Sequence, residues 1–144
     1  MKFDCIMKDS ALLIQLKNRK ITPTAMRLLV LDELSKSEVA MSMGDLEFAL
    51  DSADRVTIYR TLKKFEENGL VHTIEDGTGS LKYALCESNC TCTPEFTHAH
   101  FHCNACNQTY CLRNIHIPDI TLPKNFKIEQ SSVMLKGICD HCKS

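Results

Sequence analysis

Asp54-Arg55-Val56-Thr57-Ile58-Tyr59-Arg60-Thr61-Leu62-Lys63-Lys64-Phe65-Glu66-Glu67-Asn68-Gly69 is the most legible stretch of the 144-residue chain. Helical spacing places Ile58, Leu62 and Phe65 on one face and Thr57, Arg60, Thr61 and Lys64 on the opposite one. Asp54 has the chemistry of an N-cap, and Gly69 that of the left-handed residue that closes a helix. Periodicity alone fits an ordinary amphipathic surface helix equally well, and Tyr59 falls off both faces. The neighbouring elements decide between the readings. Downstream, Leu70 to Ile74 and Leu81 to Leu85 read as strands around Asp76-Gly77-Thr78-Gly79, which is hairpin-turn chemistry.

Upstream, Asp9 or Ser10 caps a helix carrying Ala11 to Leu16, and Thr22-Pro23 opens a second helix through Leu34 with proline in its first turn. Ser42-Met43-Gly44-Asp45 resembles a capping box and starts a short helix through Leu50. Helices, a charged-face helix and a hairpin in this order predict a winged helix-turn-helix. In that fold the polar face of the fourth helix would enter the major groove, with short donors at its N-terminal end and cations beside phosphates. Net charge is only −1, so such a surface must be a local patch. Lys17, Arg19, Lys20 and Arg27 cluster near the start, and Arg55, Arg60, Lys63 and Lys64 follow with no acid between them.

The second part of the chain has different chemistry. Residues 86–144 hold eight of the nine cysteines and five of the six histidines, whereas charge is balanced in both parts. We therefore expect two domains, 1–85 and 86–144. Cys103-Asn104-Ala105-Cys106 and Cys139-Asp140-His141-Cys142 are two C-x-x-C knuckles, and each can present two thiolates to one tetrahedral ion. The 32 residues between them require the site to clamp the end of the domain to its beginning across intervening strands. Candidate strands are Phe101 to Asn104, Gln108 to Arg113, Phe126 to Gln130 and Val133 to Lys136, with Pro118 and Pro123 breaking the link. A thioredoxin-like redox pair fits less well, because there are two pairs and neither lies in a βαβ pattern.

Several classes are disfavoured. No apolar run exceeds four residues, as at Leu28 to Leu31, and the start of the chain has no export-signal pattern, so a cytoplasmic protein with reduced thiols is expected. No H-E-x-x-H pair supports a zinc hydrolase, so no enzyme is expected.

Taken together the motifs resemble the ferric uptake regulator (Fur) family, nearest its zinc uptake (Zur) branch. The resemblance rests on Ile21-Thr22-Pro23, Val56-Thr57-Ile58-Tyr59-Arg60-Thr61-Leu62, Asn68-Gly69-Leu70-Val71, His98-Ala99-His100 and Gly137-Ile138-Cys139. It implies an α+β protein: an N-terminal winged helix that binds palindromic double-stranded operator DNA, then a small zinc-containing domain that forms the homodimer. It implies one structural Zn2+ per chain on Cys103, Cys106, Cys139 and Cys142. A second, regulatory Zn2+, with Fe2+ or Mn2+ as the alternatives, would sit on His72, Cys86, His98 and His100.

Cys90, Cys92 and Cys111 are further thiols that could replace or join Cys86. Soft thiolate with imidazole favours zinc over iron, and Ala40, Ala84, Ala99 and Cys111 stand where iron-sensing relatives usually carry further ligands. By the same resemblance Tyr59 and Arg60 touch bases and phosphates. Ala25 replaces a common arginine, which leaves Arg27 or Arg19 for that phosphate contact. The segment from Ile117 to Phe126 is shorter than the helix-bearing stretch usual there. The expected function is thus a metal-dependent, zinc-responsive repressor. An iron-responsive regulator of the same family and a thiol-based redox or peroxide sensor are the alternatives. His102, His116, His141 and Cys5 receive no role.

Overall fold

The computed structural model describes residues 2–86, 99–113, 115 and 117–143. The chain divides into two compact units, Met1–Glu87 and Ser88–Ser144. Unit 1 runs α1 (Lys2–Asn18), α2 (Ala25–Lys36), β1 (Met41–Ser42), α3 (Met43–Ala49), α4 (Arg55–Glu67), β2 (Val71–Glu75) and β3 (Leu81–Leu85). This is a winged helix-turn-helix. Unit 2 contributes β4 (Ala99–Cys103), β5 (Thr109–Leu112) and β6 (Val133–Gly137), and the chain as a whole is α+β.

In unit 1, Leu12 and Leu16 of α1, Val30, Leu31 and Leu34 of α2, Leu46 of α3 and Ile58, Leu62 and Phe65 of α4 form one buried core. The anticipated apolar face of α4 is therefore the buried one. Its N-cap is Asp54, whose carboxylate accepts from the Thr57 amide at 2.9 Å and from the Thr57 hydroxyl at 2.5 Å. Gly69, at φ 70°, ends it by letting the chain turn back into the wing. The Ser42 capping box also forms: Asp45 N donates to Ser42 Oγ and Ser42 N to Asp45 Oδ2.

The wing is the three-stranded sheet β1-β3-β2, with β2 and β3 antiparallel in the register Val71 opposite Leu85 and His72 opposite Ala84. At its turn a fully buried Asp76 accepts from the Thr78 amide at 3.0 Å and pairs with Lys82 at 3.2 Å, which fixes the hairpin end.

Four details differ from the sequence reading. Helix α1 begins by Lys2 and not at Asp9 or Ser10. With no glycine or proline before Pro23, nothing stops the helix from extending past those capping candidates, and it ends where Lys20 adopts φ 57°. The N-cap of α2 is Thr24, whose side chain accepts from Arg27 N, so Pro23 precedes the helix. Proline disfavours a helical residue before it, which moves the start past Thr22. Met41 and Ser42 add a short third strand to the wing. Phe126 to Gln130 forms no strand, and Asn125 at φ 73° turns the chain there.

In unit 2, β4 is central, antiparallel to β5 and parallel to β6. The parallel pairing sets Cys103 opposite Gly137, so the residues after each strand, which carry the two knuckles, are brought to the same end of the sheet. Asn104 N donates to Gly137 O at 2.8 Å and locks that end.

Candidate metal centre and nucleic-acid interface

The four knuckle sulfurs all lie within 4.8 Å of one another. Cys106 Sγ is 3.9 Å from Cys139 Sγ, close to the edge of about 3.8 Å in a sulfur tetrahedron built on Zn–S bonds of about 2.3 Å. Each knuckle is shaped by its own backbone. Asn107 N donates to Cys103 O at 2.9 Å with Asn107 at φ 59°, while Cys142 N donates to Cys139 O at 3.1 Å.

The thiols are electrostatically unequal. Amides of Cys106 and Cys139 pull Cys103 down to about 6, and the Cys139 N to Cys103 Sγ contact measures 3.3 Å. Burial pushes Cys139 up most strongly, but hydrogen bonds from the Tyr110 hydroxyl and from Cys142 together outweigh it and the net direction is down. Tyr110 itself is pushed up to about 12, first by that bond. Cys142 is pushed up to about 12 by hydrogen bonding to Cys139 and Cys106. Four thiols this close cannot all ionise without a cation among them, and an all-sulfur set of this spacing fits zinc. Cys103, Cys106, Cys139 and Cys142 would hold it.

Two smaller groupings involve the other expected ligands. Within unit 1, His72 Nδ1 lies 3.2 Å from Cys86 Sγ. Within unit 2, His100 and Cys111 are directly opposite on β4 and β5, so their side chains share a face. His98, Cys90, Cys92 and His116 lie outside the described residues. His102 is buried with Nδ1 2.9 Å from Thr109 Oγ1.

On α4 the exposed face is turned from the expected one. Thr61 is buried and its hydroxyl donates to Thr57 O at 2.9 Å, while Thr57 is half-buried and tied to Asp54. Lys64 is half-buried. Val56, Tyr59, Arg60 and Lys63 form the outward stripe at i, i+3, i+4 and i+7. Arg19 is half-buried near the other end of α4: Asn68 Nδ2 donates to its carbonyl at 2.8 Å, and its guanidinium approaches Gly69. Arg27 donates to Thr22 O at 2.6 Å. The sequence reading gave Tyr110 no role and did not place Val56 and Lys63 on the outward face of α4, although Lys63 stood in its basic run. A helical wheel anchored on the buried trio Ile58, Leu62 and Phe65 would have found the last two.

A winged helix followed by a β-sheet unit with a four-cysteine cluster defines a class of metal-binding regulators. The model of the ferric uptake regulator family matches residues 17–138, and the chain belongs to that family. Its members are transcription regulators and not enzymes. A ferric uptake regulation protein of Bordetella parapertussis is 27% identical over 141 residues, covering 90% of this chain and 94% of that one. Among solved structures, a zinc uptake regulator complexed with zinc and DNA is 24% identical with a TM-score of 0.64, covering 93% of this chain and 94% of that one. The ferric uptake regulator of Pseudomonas aeruginosa with manganese is 22% identical with a TM-score of 0.59, covering 90% and 98% respectively. These two likenesses show a shared fold. Among the described residues no helix is long and apolar enough to cross a membrane.

Proposed function

We propose that this chain is a zinc-responsive, cytoplasmic transcriptional repressor that binds palindromic operator DNA as a homodimer. The observation that carries the choice of metal is the 3.2 Å approach of His72 Nδ1 to Cys86 Sγ. A thiolate beside an imidazole is a soft pair that suits zinc, whereas iron and manganese sensors rely on carboxylates and imidazoles. The four-cysteine cluster is read as the structural site.

His72 and Cys86 from the wing, with His98 and His100 from the second unit, are the residues that would hold the regulatory ion, and Cys111, opposite His100, is the further thiol within that unit. When bound, a divalent ion supplies a crosslink between the two units. The protein's part is to convert that restraint into spacing. Two winged helices held on a dimeric base present their α4 helices to successive major grooves ~34–36 Å apart. Without the restraint they sample other separations. Coupling of this kind is typically ~1–3 kcal/mol, a change of roughly 5- to 150-fold in affinity, and DNA must tighten metal binding by the same factor.

Gel-shift titration against candidate operators at buffered free zinc, iron and manganese tests the reading. Activation by zinc is expected. Activation by iron alone would move the chain to the iron-responsive branch, and DNA affinity that follows peroxide treatment and not metal would make it a thiol sensor.

A further inference from the structure

The outward stripe of α4 is apolar at its N-terminal end and cationic beyond it. Val56 is 56% exposed and Tyr59 50% exposed, three residues apart and so adjacent on the helix surface. Arg60 and Lys63 continue the stripe, with Lys63 ion-paired to Glu66 at 3.6 Å. The two hydroxyls that the sequence offered for base contacts are engaged internally, Thr57 with Asp54 and Thr61 with the Thr57 carbonyl. The first turn of a recognition helix is the part that meets base edges. Here that turn offers the Val56 isopropyl group beside an exposed Arg55 that is paired to Glu47 at 2.8 Å, and the next turn adds the Tyr59 phenol ring and then cations suited to phosphates.

In the major groove the thymine C5-methyl is the base-edge feature that an apolar side chain recognises. We infer that Val56, together with Tyr59, reads a thymine methyl group in each operator half-site, and that Val56 is a specificity-determining residue. This rests on the DNA-binding reading above. Lys63, at the cationic end, contributes a sequence-independent phosphate contact.

The test uses the full zinc-loaded chain and duplexes selected from a random pool. Each thymine of one half-site is replaced in turn by deoxyuridine, which removes only the methyl. For the native chain, binding should weaken about fourfold at one or two thymines, the worth of one buried methyl-sized group. Val56→Ala should bind the thymine duplex about fourfold more weakly and lose its sensitivity to deoxyuridine at the same position. Alanine is the better helix former at an exposed site, so folding is preserved, and Val56→Ile should retain the methyl sensitivity. Lys63→Ala should weaken all duplexes evenly and reduce the salt slope by about one.

If Val56→Ala keeps the full deoxyuridine penalty, or the native chain shows none at any thymine, the assignment is overturned while DNA binding stands. If no duplex is selected at all, the DNA-binding reading fails and this assignment fails with it.

Discussion

His72 Nδ1 and Cys86 Sγ stand 3.2 Å apart although they are fourteen positions apart in the chain. The hairpin register produces the contact: His72 faces Ala84, and Cys86, whose amide donates to Leu70 O at 2.9 Å, lies diagonally across on the same face. Cys86→Ser keeps this geometry but replaces a soft thiolate by a poor ligand. The variant should lose the roughly 5- to 150-fold zinc dependence of DNA affinity and still hold the tightly bound zinc. DNA titrations with and without buffered zinc, beside zinc analysis, check this. A surviving response would point to Cys90, Cys92 or Cys111 as the thiolate in use.

The four-cysteine cluster draws ligands from both ends of unit 2, so losing one should cost the whole site. Cys103→Ser or Cys139→Ser is expected to lower zinc content by one equivalent per chain and to disorder the β4–β6 pairing that sets Cys103 opposite Gly137. Zinc analysis and amide hydrogen exchange of β4 and β6 measure both effects. Full zinc retention in either variant would remove the cluster from the structural role.

Tyr110 steadies the Cys139 sulfur through its hydroxyl. Contacts of this kind to metal ligands are commonly worth about 10- to 100-fold in metal affinity. Tyr110→Phe, which removes only the oxygen, should speed zinc transfer to a competing chelator by about tenfold or more. In the cobalt-substituted protein it should also shift the sulfur-to-metal charge-transfer bands. An unchanged spectrum and release rate would show the hydrogen bond to be incidental.

Asp54 caps α4, and the Thr57 hydroxyl and then the Thr57 amide hold its carboxyl below the usual 3.8. A depressed carboxyl contributes stability that is fully present above 3.8 and fades as the pH falls through the lowered value. The asparagine of an Asp54→Asn variant remains a competent cap without charge. Native chain and variant should therefore differ in denaturation midpoint at neutral pH, the native being more stable, and converge in acid. A difference that persists in strong acid would rule out the charge as its source.

Phe65 is fully buried in the core of unit 1 whereas Arg60 is exposed on the same helix. Phe65→Ala should destabilise unit 1 by about 3–5 kcal/mol. Arg60→Ala should leave stability within about 0.5 kcal/mol and weaken DNA binding. Denaturant melts and gel shifts on the pair separate packing from recognition.

Much of this was legible in the sequence because local chemistry agreed with tertiary demand. Asp54, Gly69 and the Ser42–Asp45 box act where their side chains or φ preferences placed them. The two knuckles announced themselves by spacing, and three of the four strands proposed around them form, as β4, β5 and β6. What stayed hidden depends on competition between equivalent signals. Thr22 and Thr24 are both good caps, and only the proline between them selects the second. Thr61 reads as a surface residue by type, yet back-bonding to the Thr57 carbonyl lets it bury its hydroxyl at low cost. Tyr110 reaches Cys139 only because β6 returns parallel to β4, a pairing that no local pattern encodes.

The most direct test of the central claim is metal content read alongside DNA affinity in one freshly purified sample, before and after a mild chelator. Two zinc ions per chain are expected, one retained and one removed, with operator affinity falling as the second leaves and returning when zinc is restored. Operator affinity indifferent to removal of the exchangeable ion, or a chain that never holds more than one zinc, would contradict it.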